Sequence, residues 1–470
     1  MRNKIITLLA FALFCSLVVS APLQAEEQQE IASVQPAEQV AEESKGIAEL
    51  YDLAKVKDPI LGRATARLEA GRADRAIAWA GVLPRINANA SRRHFWHTVN
   101  NYSAGDFEGS YNGYVYGIGG QLPIFSMPAY FQIAAAHAGA RGAKAAVEQA
   151  QQDLLVRMIN DYVALLKARA DEKLHRDELH RVSRILQQAE AFLQAGTGDI
   201  IAVYEAKARM DSAAADLIKT EAQCRIAEQA LSSLTGIIVD KVQSLEITTP
   251  AGPAPDDLNW WLDTLQKKNP AIRKAKEELR SAVQNKRANW SGHLPTLQLQ
   301  GGYTVDKGST FLPEVETRQW YVGASVSLPI FSGGETAART RRAAAAESEQ
   351  RFMLDDTVDQ GTRRLKEAFL NLRYNQSLAE AYQRKYDSAR LQLKATVKGR
   401  EIGTRNAIDL LNAEQTYAVA QRDLSNALYD NLVRQFELKA AAGILQEEDL
   451  QELAAPKAVK PDSLPGTSDS

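Results

Sequence analysis

The sequence predicts a mainly α-helical chain with a smaller β part, built as a duplicated unit in the order helix, hairpin, long helix, helix. Three observations carry that class. Between Leu294 and Leu328 the pattern has period two. Leu297, Leu299, Gly301, Tyr303 and Val305 fall on one face, with Gln298, Gln300, Gly302 and Thr304 on the other. After a loop, Trp320, Val322, Ala324, Val326 and Leu328 oppose Tyr321, Gly323, Ser325 and Ser327. From Glu335 onward the period changes, and no proline intervenes between Pro329 and Pro456. A helix over 335–400 at 1.5 Å per residue is roughly 100 Å long. No globular core is that deep, so the element crosses a compartment or joins a coiled coil.

The third observation is that the unit occurs twice. Asp58-Pro59 is matched by Asn269-Pro270, and Leu83-Pro84 by Leu294-Pro295. Leu122-Pro123-Ile124-Phe125-Ser126 is matched by Leu328-Pro329-Ile330-Phe331-Ser332, Gly196-Thr197 by Gly403-Thr404, and Gly236 by Gly443. The spacing changes chiefly inside the strand-to-strand loop, where insertions are best tolerated. A repeat this long is a duplicated domain and not a solenoid unit.

Residues 1–25 have the form of a secretory leader, with Arg2 and Lys4 before an apolar stretch from Ile5 to Val19. Cut after Ala25, it removes Cys15, which follows a phenylalanine too large for a lipidation signal. Cys224 is then the only cysteine, set in a helical segment as a packed thiol, and no disulfide forms within a subunit. Residues 26–45, rich in Glu, Gln, Ala and Ser, read as a flexible lead-in. The first repeat spans 46–236: helix over 46–82, strands over 85–97 and 111–123, a long helix over 129–195 and its partner over 199–235. A Pro- and Gly-containing linker covers 237–256, and the second repeat covers 257–443. The stretch 444–470 turns acidic and then Pro- and Ser-rich, and reads as a mobile tail. Alanine clusters open both long helices, at 134–136 and 343–346, and small residues let helices approach closely. Leu154, Leu155, Ile159, Val163 and Leu166 form a packing stripe.

Formal charge is −2, so no basic surface invites nucleic acid. After the leader no apolar run approaches the roughly 18 residues of a membrane helix. The hairpins, however, pose a physical problem. In lipid every backbone N–H and C=O must be paired, so a membrane sheet must close on itself. Four strands cannot close around a channel, and closure requires an oligomer with a strand number divisible by four. Tyr303, Trp320, Tyr114, Tyr116, Phe95 and Trp96 suit the aromatic girdles of such a barrel. The plainer alternative is a soluble sheet packed on the helices, which are too long to cover so small a sheet.

These features together resemble the TolC family of outer-membrane channels. The duplicated halves, the Asp58-Pro59 and Asn269-Pro270 pairs, Leu-Pro leading into each hairpin and Pro-Ile-Phe-Ser leaving it carry the likeness. So does Gly403-Thr404-Arg405 followed by Ile408-Asp409-Leu410-Leu411-Asn412-Ala413. The likeness covers about 46–445. It implies a homotrimer embedded in outer-membrane lipid: a 12-stranded β-barrel continued by a periplasmic α-helical barrel. It also implies a periplasmic adaptor protein and an inner-membrane transporter of ABC or RND type. Protein export by type I secretion is the first reading and small-molecule efflux the second. The rival from another class is a soluble periplasmic coiled-coil scaffold or adaptor, which would lack duplicated lipid-facing hairpins.

The resemblance places a periplasmic gate at Arg405, Asp409 and Asn412, with Asp409 supplying one carboxylate per subunit at a constriction. Relatives carry a second aspartate where this chain has Asn412, and a gate aspartate of the first half falls on Ala202. The local alternative for Arg405 and Asp409 is a solvated helix start. Gly196, Thr197, Gly403 and Thr404 form the helix-to-helix turns, which the resemblance makes adaptor-docking tips. Locally, glycine there suits a left-handed position and threonine a cap for the following helix.

No enzymatic motif and no cofactor or metal site is expected. His175 and His180 stand about 140° apart around a helix, which suits no common metal. His94 and His97 flank Phe95-Trp96 near a strand end. Gly117-Ile118-Gly119-Gly120 lies in a strand, so it is no phosphate loop. Asp355, Asp356 and Asp359 form a wet helix face.

Overall fold

A computed structural model describes residues 46–99, 107–239, 242–243, 245, 249–307 and 315–454. The leader at 1–25, the lead-in at 26–45 and the tail beyond 454 lie outside the described residues. The first half comprises α1 (Ile47–Lys57), α2 (Pro59–Ala80), β1 (Arg85–Val99), β2 (Phe107–Phe125), α3 (Met127–Gln194) and α4 (Ile200–Thr235). The second half repeats that order: α5 (Leu258–Lys268), α6 (Pro270–Trp290), β3 (Thr296–Lys307), β4 (Glu316–Ser327), α7 (Glu335–Glu401) and α8 (Ala407–Ala442). A short α9 (Glu448–Ala454) comes last.

The single helix expected over 46–82 is instead two helices, broken at Asp58. Pro59 cannot donate a backbone N–H, and Asp58 adopts an extended conformation with its side chain capping the new start through Leu61 N at 2.7 Å. Its other oxygen takes a 2.6 Å bond from Arg157 on α3, and the carboxylate is almost wholly buried. Asn269 does the same between α5 and α6, accepting from the N–H groups of Ala271 and Ile272. Its amide also donates to Ala441 O at the end of α8. Gly443, at φ 79°, closes α8 against Asn269, so closely that a side chain there would collide with the Asn269 backbone. Gly236, at φ 81°, closes α4 beside Lys57. α6 therefore starts where α8 ends, and α2 starts beside the end of α4.

The long helices, of 68 and 67 residues, run past both members of these stacks. Toward the sheet the lateral order is α2, α3, α6, α7; toward the opposite end it is α4, α3, α8, α7. Small residues bring these helices close: a Cβ on Gly71 would touch Ala140 and Ala143, and one on Gly142 would touch Glu277. The stripe Leu154, Leu155, Ile159, Val163 and Leu166 is buried as its spacing requires, against Ile47, Leu50 and Ala54 of α1. The chain just beyond Gly443 corrects an expectation. Leu445 and Leu450 are buried in that same core, Lys55 binds Glu447, and Lys439 binds Asp449. The first part of the supposed mobile tail is thus packed.

The two hairpins form one antiparallel sheet in the order β1-β2-β3-β4. Register aligns the apolar positions into rows: Ala88, Ile118, Tyr303 and Trp320 lie side by side, as do Ile86, Gly120, Gly301 and Val322. The opposite face carries Asn87, Asn89, Gln121, Gln300, Thr304 and Ser325. Phe95 belongs to that polar face, where it stacks on Tyr111 at 5.0 Å, so it leaves the girdle expected of it. β4 ends at Ser327, one residue short of Leu328. Among the described residues no helix makes an extended contact with the sheet. The soluble alternative, a sheet covered by helices, is therefore not what the chain builds. Trp320, Val322 and Val326 are each at least 70% exposed, and β1 and β4 have unpaired outer edges.

Candidate functional site

The two turns at the far end of the helices are near copies. After α3, Gly196 at φ 72° lets its N–H reach Leu193 O and the Thr197 N–H reach Phe192 O, both at 3.0 Å. After α7, Gly403 at φ 77° does the same with Arg400 O at 3.1 Å, and Thr404 N with Gly399 O at 2.8 Å. This paired pattern satisfies carbonyls that a helix end leaves open. Nothing lies within 4 Å of a Cβ on either glycine, so only the backbone angle demands glycine there. The threonines correct an expectation. Their hydroxyls bond back to the helix just ended, Thr197 to Phe192 O and Thr404 to Gly399 O. The caps of the following helices are Asp199, which accepts from Ile201 N, and Asn406.

Asp409 completes that second cap. Its N–H donates to Asn406 Oδ1 at 2.7 Å, and its Oδ2 accepts from Asn406 N at 3.2 Å, a reciprocal capping box. Arg405 lies 3.9 Å from the same oxygen, with both side chains over a third exposed, so this pair adds little. Asn412 is exposed one turn on, sharing the face of Asp409. Arg405, Asp409 and Asn412 thus lie together beside the tip. Ala202 lies in the first turn of α4, where it offers no polar side chain.

Sequence reasoning missed the polar seam behind the tip, where α3 faces α8. Arg181 Nε lies 2.9 Å from Glu414 Oε2, and its guanidinium sits over the Tyr417 ring. Tyr417 meets Tyr386 of α7 at 3.4 Å. Burial raises the Glu414 carboxyl above its usual range in spite of Arg181, and burial together with Tyr386 pushes Tyr417 up to about 12. Farther along, Lys167 binds Asp430 at 2.9 Å, and Arg422 Nη1 reaches His175 Nε2 at 3.0 Å. The guanidinium can only donate, so Nε2 accepts and the imidazole proton sits on Nδ1, toward Glu178 at 3.6 Å. Asp171 between them is raised by burial against the pull of Lys167 and Arg422. These residues are scattered over three helices, α3, α7 and α8, and nothing in their local spacing pairs them.

The tip also exposes Phe192, Ile200, Ile201 and Ile402, an apolar fringe around two polar turns. His94, expected near a strand end, binds Asn112 at 3.0 Å across β1 and β2. His180 lies on the same helix as His175, and among the described residues no group of acidic, His or Cys side chains is spaced to hold a metal.

Comparison with known proteins agrees with this architecture. Residues 50–237 and 261–444 match the family model described as outer membrane efflux protein. The alkaline protease secretion protein AprF of Pseudomonas aeruginosa is 30% identical over 419 residues, covering 87% of each chain. The outer membrane protein TolC of Vibrio cholerae is 26% identical over 417 residues, covering 88% of this chain and 94% of that protein. The crystal structure of the outer membrane protein VceC from Vibrio cholerae superposes with a TM-score of 0.73 at 19% identity, over 84% of this chain and 96% of that one.

Proposed function

This chain belongs to the outer membrane efflux protein family, and from that premise we propose that it is the outer-membrane duct of a type I system that exports protein. It sits in the outer membrane and extends into the periplasm, a passive channel and not an enzyme. The observation that carries the proposal is the uncovered four-stranded sheet, apolar on one face, polar on the other and unpaired at both edges. Three copies supply twelve strands, enough to close every edge and enclose an aqueous bore. The lateral order of the helices continues that closure: α7 at one side of each protomer meets the next protomer at α2 and α4.

In this reading the tips at Gly196-Thr197 and Gly403-Thr404, with their apolar fringe, receive a periplasmic adaptor, which links the duct to an inner-membrane transporter. Asp409, with Arg405 and Asn412, lines the closed periplasmic mouth, one carboxylate per protomer. Two features favour protein as cargo. A protease secretion protein stands among the relatives that match across nearly the whole chain. On the bore-facing side of the sheet Gly117, Gly119, Gly302 and Gly323 carry no side chain, which leaves width there for a polypeptide. The test is deletion of the gene followed by analysis of the culture medium. Loss of a secreted protein, restored by the wild-type chain, with drug and metal sensitivity unchanged, is the expected result. Unchanged secretion with sharply increased drug sensitivity would transfer the assignment to small-molecule efflux.

A further inference from the structure

The apolar face of the sheet ends abruptly at an ordered polar row. Leu297 to Val305 runs roughly 27 Å along the strand. At a tilt of about 40° that is about 20 Å of membrane depth, close to the apolar band of an outer-membrane barrel. The next row on the same face, farthest from the helices, is Arg92, Tyr114, Lys307 and Glu316, one residue from each strand. Arg318 lies one row inward beside Val305.

Within this row the single acid is already engaged. Glu316 accepts the Tyr114 hydroxyl at 2.9 Å and the Arg318 guanidinium at 2.6 Å. Arg92 is exposed, and among the described residues no hydrogen bond or ion pair occupies Arg92 or Lys307. Two strand spacings separate these two residues, about 10 Å between their backbones. On β1 the row is topped by Trp96, 79% exposed and edge-on to His94 at 4.3 Å. On the apolar side lie the rings of Tyr116, Tyr303 and Trp320, the depth at which aromatic side chains meet lipid headgroups.

Resting on the membrane-duct reading above, the geometry points to a site for phosphate-bearing lipid on the outer rim of the barrel, held by Arg92 and Lys307. The aromatic rows contact the upper acyl chains, and the two cations meet the headgroup phosphate. Tyr114 and Arg318 take the hydrogen bonds of Glu316, which also feels the charge of Lys307 across the ladder, so Arg92 is the cation with no acid beside it in the row and Lys307 the partly neutralised one. The site faces lipid and not the bore, because Arg93, the next residue, points to the opposite face.

The test uses the full chain purified in detergent, offered equal amounts of phosphatidylglycerol and phosphatidylcholine, with retained lipid measured by native mass spectrometry. Wild type retains phosphatidylglycerol several-fold over phosphatidylcholine. Arg92→Gln/Lys307→Gln brings that ratio close to one, because the attraction of both cations for the anionic headgroup is gone, while Arg93→Gln leaves it unchanged. The inference is overturned by an unchanged ratio in the double variant, or by an equal loss in Arg93→Gln. It is also overturned if inorganic phosphate alone displaces the lipid, which would make this a soluble-anion site. Conductance in planar bilayers is read from the same preparations. A conducting wild type without lipid preference sinks this inference alone, and a wild type that forms no channel sinks the duct with it.

Discussion

Asp409 serves two purposes that pull on the same oxygens. In the capping box it satisfies a backbone N–H and orders the first turn of α8. In the proposed mouth it supplies one of three charges that attract cations. Asp409→Ala should therefore fray that turn, at a cost of about 1 kcal/mol, visible as faster amide exchange at Ile408 to Leu411. The same variant should abolish block by divalent cations added from the periplasmic side of a planar bilayer, and Asn412→Asp should strengthen it. If Asp409→Ala is blocked as well as wild type, Asp409 does not line the mouth. Asp171 gives a prediction in pH. Burial raises its carboxyl in the folded state, so the charged form costs stability at neutral pH. Stability is then gained as pH falls through the folded-state value, and is lost again as pH rises. Asp171→Asn should raise the thermal midpoint at pH 7.5, with the advantage shrinking toward pH 4. An equal effect at both pH values would mean that packing, not charge, decides it. The importance of glycine at the two tips could be read from the repeat alone. The threonine assignment could not, because threonine suits either cap, and only the helix start at Ile200 and Ala407 gives that role to Asp199 and Asn406.

At the scale of elements, the sequence pattern located the long helices and hairpins to within a few residues because each keeps one period for its whole length. It missed the break at Asp58. Leu61 and Ala64 of α2 are buried along with the α1 residues Leu50 and Ala54, so the apolar signal runs on across the junction, and only the proline marks it. The seam between α3 and α8 was invisible for a different reason: Arg181 and Glu414 meet only once two coils lie side by side. The turns make the sharpest prediction here. Valine at Gly403 must adopt a positive φ that a β-branched residue strongly resists, about 1–3 kcal/mol of strain. With open space around both glycines, that strain stays within the turn. Gly196→Val/Gly403→Val should assemble normally in the outer membrane, yet lose export and cross-linking to the adaptor. Full export by the double variant would remove the tips from docking.

For the whole molecule, the exposed sheet sets the first expectation. Solubilised in detergent, the protein should run as a trimer whose circular dichroism is dominated by helix, with a minor strand contribution. A stable monomer without detergent would contradict the barrel. The stacked helices set the mechanical design. Each half pairs one continuous rod, α3 or α7, with one jointed rod, and the joints at Gly236/Lys57 and Gly443/Asn269 are held by caps and a close fit, not by a covalent run of helix. A jointed rod carries axial load but little torque. Twisting of the tip end can therefore dissipate as sliding at those joints while the continuous rods flex. In the proposed trimer the joints should therefore be the most compliant level along the tunnel, while α3 and α7 run unbroken from the sheet to the tips.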